Sequence, residues 1–560
     1  MGRTPNGESV TVVTPGRASD APGSSPSARL RSVLPAGVGL ACLLATMPID
    51  SAAMNTFQRF AGLAAWIDAF APAMHVCALL AAIVALLPHA VRGARRVPDG
   101  ALAAAGATLF VTDGLAISWS AMSGDALGGF MGGVWPLAAL TGVSCLCVAL
   151  AWGRVFARLG RQASMRAVVC AGVTRAVVGV ALIELPDAAS VLCYLSAMAV
   201  SVGLLIWCTA RPTPDGAGDA GDAAAGALAT AVGAHAPGDG ADDPLDGTRD
   251  LGERVRSFVA VSWRALLGLL ALALVTGMMR ATAMGHHLVQ MATLALGAVV
   301  LGLLASHLAH RQVVSVSNDI VIPLLAALML ATSNVTYALG AGAVPAVALT
   351  YALYGYAALL TLAVLGAMAS AREFASDAIF SLAVGLFCLA SLGGLRLGSV
   401  VGMGVVPAVT TVVTTLYAIA MVVPALARAH AGDRDRTRGV ASDVDEIVAP
   451  AGVVPPSAPA GRADGNGAAT ASRPTPQDRE AFLDGRCREL AAERGLTARE
   501  TEVLGYLARG HGSAYISETL FISTNTVRTH THNLYHKLGV SSREQIIALV
   551  CRGDGAAASR

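Results

Sequence analysis

The sequence predicts an all-α protein: a polytopic membrane helix bundle of about twelve spans, six plus six, followed by a four-helix soluble module. Three observations predict it. Mean hydropathy is +0.61 and 14% of the 560 residues are charged, against roughly 25% in soluble globular proteins. Apolar runs of spanning length recur twelve times. After Ala427 those runs stop, and one stretch of soluble helical patterning follows a polar, proline-rich segment.

Residues 1–31 are rich in Ser, Pro, Gly and Arg and read as a disordered cytoplasmic tail with no cleavable signal pattern. The spans fall near 33–54, 68–91, 101–122, 129–152, 166–186 and 188–209, then 257–279, 287–308, 319–340, 344–369, 376–397 and 402–427. The first six form one membrane half (32–209) and the last six the other (257–427). Between them, 210–256 includes "DGAGDAGDAAAGALATAVGAHAPGDGADD", the composition of a flexible linker. Short loops on one side hold Arg92, Arg95, Arg96, Arg154, Arg158, Arg161, Arg166, Arg311 and Arg372, against Arg59, Arg280 and Arg396 on the other. Basic residues stay in the cytoplasm, so the expectation is a multi-pass protein of the inner membrane with both termini cytoplasmic.

Polar groups at membrane depth mark candidate sites, because burying them in lipid is costly. Asp113 and Arg175 are the clearest, as a buried ion pair or as the lining of a pocket for a small-molecule ligand. His75, Glu184 and Asn334 join them as further pocket candidates. Tyr351, Tyr354 and Tyr356 crowd one span, through packing or ligand stacking. Many Gly and Ala residues suit close helix packing. The ten cysteines are scattered and form no C-x-x-C, so neither a disulfide framework nor a metal cluster is expected. No Walker A, G-x-S-x-G or H-E-x-x-H motif is present, and no enzyme activity or cofactor is expected.

Residues 428–480 read as a disordered tether spanning on the order of 40 Å. The soluble module occupies 485–552. Thr497, followed three residues later by Glu500, makes a capping box; Val503, Leu504 and Leu507 give the apolar face, and Gly510 the stop. In "SAYISETL", Ile516 and Leu520 share a face. "FIS" turns the chain, and Ser523 or Asn525 caps a third helix whose Val527, Leu534 and Leu538 point inward. Gly539 ends that helix, and the last helix starts near Ser542. The window from Thr519 to Arg543 holds no Asp or Glu, and Lys537 is the only lysine in the chain. An acid-free helix suits the DNA major groove, which runs between two rows of phosphates.

The stretch "LTARETEVLGYLARG…ISETLFISTNTVRTHTHNLYHKLGV" resembles the LuxR-type helix–turn–helix family, whose pattern it follows from Leu496 to Val540. The resemblance implies that Arg528, Thr529 and His532 reach base edges of double-stranded DNA. Thr524, Asn525, Thr526, His530 and Lys537 would lie near phosphate or hold the helix in register. Ile546, Ile547 and Val550 would form a dimer contact on DNA. Gly512 and Tyr515 depart from the family pattern, where a serine and an acidic residue are usual. His530, His532 and His536 raise the alternative of a metal site, but no carboxylate or cysteine joins them, and no metal is expected. The six-plus-six order is similar to that of major facilitator transporters in topology, although the loop "PHAVRGARRVPDG" lacks their signature. Together these features lead us to expect a one-component, membrane-integrated transcription regulator. An active transporter with a fused autoregulatory DNA-binding domain, and a membrane anchor without sensing, are the alternatives.

Overall fold

The structure is a computed structural model that describes residues 26–47, 63–90, 97–123, 134–210, 251–283, 287–308, 310–339, 344–371, 374–401, 405–447, 476–540 and 542–551. Among them every regular element is helical. The bundle contains α1 (Pro26–Thr46), α2 (Leu63–Ala90), α3 (Asp99–Ser123), α4 (Val134–Leu159), α5 (Arg161–Glu184), α6 (Asp187–Ala210), α7 (Leu251–Ala283) and α8 (His287–His307). It continues with α9 (His310–Val316), a π-turn (Ser317–Val321), α10 (Ile322–Leu339), α11 (Val344–Ser370), α12 (Ser376–Val401) and α13 (Val406–Ile447). Two compact units result: one of Ser32–Pro455 with Ser517–Thr524, and one of Met1–Arg31, Pro456–Ile516 and Asn525–Arg560.

Among the described residues, eleven helices are long and apolar enough to cross a membrane. The apolar part of α1, Val33–Thr46, rises only about 21 Å at 1.5 Å per residue, short of a hydrocarbon core about 30 Å thick. The rest of the first expected span, from 48 onward, lies outside the described residues, as do Arg59, Arg92, Arg95, Arg96 and Arg372. Helix bounds also differ from the sequence expectation at three places. Helix α1 starts at Pro26, α7 at Leu251, and α13 runs to Ile447, inside the segment read as tether. Polarity suggested disorder there, yet no proline falls between Pro424 and Pro450 to stop a helix.

Counting α1 as the first span, the most extensive packing between the first six spans and the rest is in two equivalent pairings, with α11 also packed on α4 and α5 and α12 on α4. Helix α2 packs on α12, and α5 packs on α8. In each case the second span of one half faces the fifth span of the other, as a two-fold related pair of repeats requires. Close approach is specified by small residues: a Cβ on Gly277 of α7 would sit 2.5 Å from the Ser391 carbonyl oxygen of α12.

The ion network at one end of the bundle also ties the halves. Arg154, 3% exposed on α4, donates from Nε to Asp377 Oδ1 (2.7 Å) and from Nη2 to Oδ2 (2.5 Å). Its Nη1 reaches Asp99 Oδ1 (2.8 Å) and the Val97 carbonyl (2.7 Å), and Arg158 pairs with the other Asp99 oxygen. Asp99 and Asp377 lie in the first turns of α3 and α12, where a carboxylate also offsets the helix dipole. Forked geometry on a planar guanidinium suits arginine and not lysine. Asp377→Ala should therefore leave Arg154 without its forked partner and cost about 3 kcal/mol. The expected readout is a lower thermal-unfolding midpoint of the full chain in detergent, and an unchanged midpoint would remove this network from the account.

Candidate nucleic-acid interface

The C-terminal module consists of α14 (Pro476–Arg494), α15 (Ala498–Ala508), α16 (Ser513–Leu520), α17 (Thr524–Leu538) and α18 (Arg543–Cys551). Thr497 caps α15: its hydroxyl accepts from the Glu500 amide (3.2 Å), and Glu500 Oε2 accepts from the Thr497 amide (2.8 Å). Val503, Leu504 and Leu507 are buried. Gly510 and Gly539 adopt φ of 84° and 67°, the left-handed conformation that closes a helix without Cβ strain. Ile516 and Leu520 are buried, and Phe521 in the turn also has positive φ, 53°. Helix α17 opens at Thr524, which leaves Ser523 and not Asn525 at the cap position.

Val527, Leu534 and Leu538 are the buried side chains of α17. At about 100° per residue they cluster on one side. Asn525, Arg528, Thr529, His532 and His536 share the opposite side within about 100°. Asn525, Arg528, His532 and His536 are exposed and Thr529 is half-exposed. His536 was not assigned to this face by the sequence reading, although its spacing from His532 places it there. Thr524 is exposed at the helix start, while Thr526 and His530 are half-buried on the flanks.

Lys537 is held by the module itself. Its Nζ lies 2.7 Å from Glu500 Oε2 and 3.4 Å from the Gly495 carbonyl oxygen. Glu500 is 4% exposed, and the same oxygen accepts both the Thr497 amide and hydroxyl. Burial alone would raise its pKa. The hydrogen bonds from Lys537 and Thr497, with the charge of Lys537, outweigh that and bring Glu500 below the ordinary carboxyl range. Helix α17 is thereby tied at its C-terminal end to the start of α15.

Ile546 and Val550 of α18 are fully buried, and α18 packs on α15 and α14. They fill the module's own interior, so the expectation that all three α18 apolar residues face a second copy is corrected: only Ile547 is partly exposed. Arg509 pairs with Asp484, joining α14 to the same core. Burial pushes the Cys487 thiol up to about 11, which keeps it a neutral core group. Tyr515 stacks face to face on His511 at 3.8 Å between ring centroids.

In the bundle, Asp113 is fully buried and accepts from the Thr141 hydroxyl (2.5 Å); it is paired there rather than with Arg175, which is half-buried on α5. His75 is buried with Nδ1 2.7 Å from the Ala71 carbonyl oxygen. Glu184 is exposed at the end of α5, and Asn334 lies on α10 with its side chain outside the described residues. Tyr354 bonds to Thr414 (2.9 Å) and Tyr356 to Ser317 in the π-turn (2.6 Å). Sequence reasoning missed the pair between Arg264 of α7 and Asp319 of the π-turn (3.2 Å). The signal was available, since both are charged residues within or at the edge of expected spans. Among the described residues no group of three His, Cys, Asp or Glu could hold a metal.

Residues 494–550 match the family model described as bacterial regulatory proteins, luxR family, and the chain therefore carries a LuxR-type helix–turn–helix domain behind its membrane helices. The probable transcriptional regulatory protein SgaR of Hyphomicrobium methylovorum is 52% identical over 54 residues, 10% of this chain and 26% of that protein. The CsgBAC operon transcriptional regulatory protein of Escherichia coli (strain K12) is 45% identical over 53 residues, 10% and 24% of the two chains. The chain thus matches about a quarter of the length of these curated relatives. Among solved structures, the E. coli fucose:proton symporter FucP aligns at TM-score 0.43 with 13% identity, covering 70% of this chain and 98% of that one. The human organic anion transporter MFSD10 aligns at 0.39 with 17% identity, covering 71% and 99%.

Lys537→Met should leave Glu500 buried without its cation and destabilise the module by about 2 kcal/mol. Hydrogen exchange of the α15 and α17 amides in the full chain should then speed up by about thirtyfold; unchanged protection would show that the clamp contributes nothing. In the unaltered chain the Glu500 contribution is present above the ordinary carboxyl value of 4.5 and is lost as pH falls through its lowered folded value. Protection corrected for intrinsic rates should drop in that acid window, and to a smaller extent in Glu500→Gln.

Proposed function

We propose that this chain is a membrane-integrated, one-component transcription regulator of the inner membrane, with both termini in the cytoplasm. Two six-span halves, 32–209 and 257–427, detect a small molecule or a membrane state, and the 485–552 module binds promoter DNA. The observation that carries this reading is the two-faced α17: an apolar side built into the module, and an acid-free, exposed side holding Arg528, Thr529 and His532. Arg528 suits the paired acceptors of guanine, and Thr529 and His532 reach neighbouring base edges. Thr524, Asn525, Thr526 and His530 lie toward phosphate or set the register, while Lys537 acts through Glu500. Two modules on paired half-sites form the DNA-bound homodimer, with Ile547 at the contact. In the bundle, Asp113, Arg175, His75, Glu184 and Asn334 are the pocket candidates. A ligand there changes output only by binding two bundle states unequally.

The equivalent α2–α12 and α5–α8 pairings favour a second reading, an active transporter whose fused domain regulates its own expression, because paired repeats permit rocking between two states. Uptake of labelled solutes into vesicles carrying the full chain separates the two. For the DNA reading, full chain in nanodiscs should enrich a paired half-site motif from a pool of random duplexes, and Arg528→Ala should lose that enrichment. Equal enrichment by the variant would overturn the assignment of α17 as the reading helix.

A further inference from the structure

The outward face of α17 carries few permanent charges. Arg528 is the one residue on it that is always cationic; His532 and His536 follow at intervals of one turn, both exposed. Lys537 is about 100° round the helix from His536, and its ammonium is bonded to Glu500. No Asp or Glu occurs between Thr519 and Arg543 to offset the cations. The face therefore presents one positive charge when both imidazoles are neutral and three when both are protonated.

The charged and titratable groups around this face are identifiable element by element. On α17 itself they are Arg528, one turn before His532, and His530 and Lys537 on the flanks. Helix α15 contributes Glu500, bonded to Lys537. Helix α16 contributes Tyr515, stacked on His511, and Glu518, whose side chain lies outside the described residues. Helix α18 begins with Arg543 and Glu544. Among the described residues no metal-binding cluster engages the two imidazoles.

We infer that DNA binding by this chain is proton-linked, with His532 and His536 as the groups that take up protons when α17 meets the duplex. Imidazole changes charge between about pH 5 and 8. Phosphates on both walls of the groove favour the cationic form, as any opposite charge within a few ångströms does. The complex then binds more protons than its separated components, so affinity rises as pH falls. The two histidines make the DNA affinity of this module a readout of cytoplasmic pH. The inference rests on the DNA-binding reading above.

The test uses full chain in phosphatidylcholine nanodiscs and a rhodamine-labelled random-sequence duplex, so no promoter need be known. Anisotropy titrations at about pH 6 and about pH 8 over a range of KCl concentrations give affinity and salt slope. Expected is an affinity about tenfold or more higher at the lower pH, and a steeper slope there by up to about 0.9 per protonated imidazole. The double variant His532→Gln, His536→Gln should lose most of this pH dependence. The double variant His532→Arg, His536→Arg should bind tightly at both pH values, which also shows that the altered modules fold. Equal affinity at the two pH values, or a pH dependence that survives in the Gln pair, overturns the inference. Absence of binding at both pH values in every form overturns the DNA-binding reading itself and the inference with it.

Discussion

The Glu500 carboxylate is the point on which the C-terminal module depends. Its Oε2 accepts from the Thr497 amide at 2.8 Å and from Lys537 Nζ at 2.7 Å, in a site 4% exposed. The first bond starts α15, and the second holds the last turn of α17. One acid thus serves as helix cap and interhelical anchor. Without the lysine this buried carboxylate would keep the Thr497 bonds but lose its cation, which is costly. With the lysine so engaged, the outward face of α17 is left to Arg528 and the histidines.

The bundle uses the same device on a larger scale. Arg154 joins carboxylates at the starts of α3 and α12, one from each half. The two halves also touch through α2–α12 and α5–α8, and small residues allow backbones to approach where α7 crosses α12. Under the proposed function, rearrangement of the halves about these seams and the ion network at one end would be the moving step. Such a step is what a sensor needs, and it is equally what a transporter needs.

What was legible in the sequence was what local periodicity encodes. The capping box at Thr497 and Glu500, the stops at Gly510 and Gly539, and the inward face of Val527, Leu534 and Leu538 follow from spacings of three, four and seven. The long apolar runs gave most span positions for the same reason. Pairings between distant residues were not legible: Lys537 and Glu500 are 37 residues apart, and Arg154 and Asp377 are 223 apart. Lys537 could be placed on a helix flank but not assigned a partner. Ile546 and Val550 show a related limit, since an apolar stripe does not reveal whether its own domain or a second copy covers it. Composition misjudged the end of α13, because a polar segment without proline can continue a helix.

Under the proposed function, a LuxR-type module joined to a membrane bundle reads DNA at the bilayer. Crosslinking of DNA to the intact chain in cells, recovered from the membrane fraction and sequenced, addresses this most directly. Discrete enriched sites are expected in that fraction, and they should vanish with Arg528→Ala. Enrichment confined to a soluble, cleaved fragment, or no discrete sites at all, would contradict the proposed function.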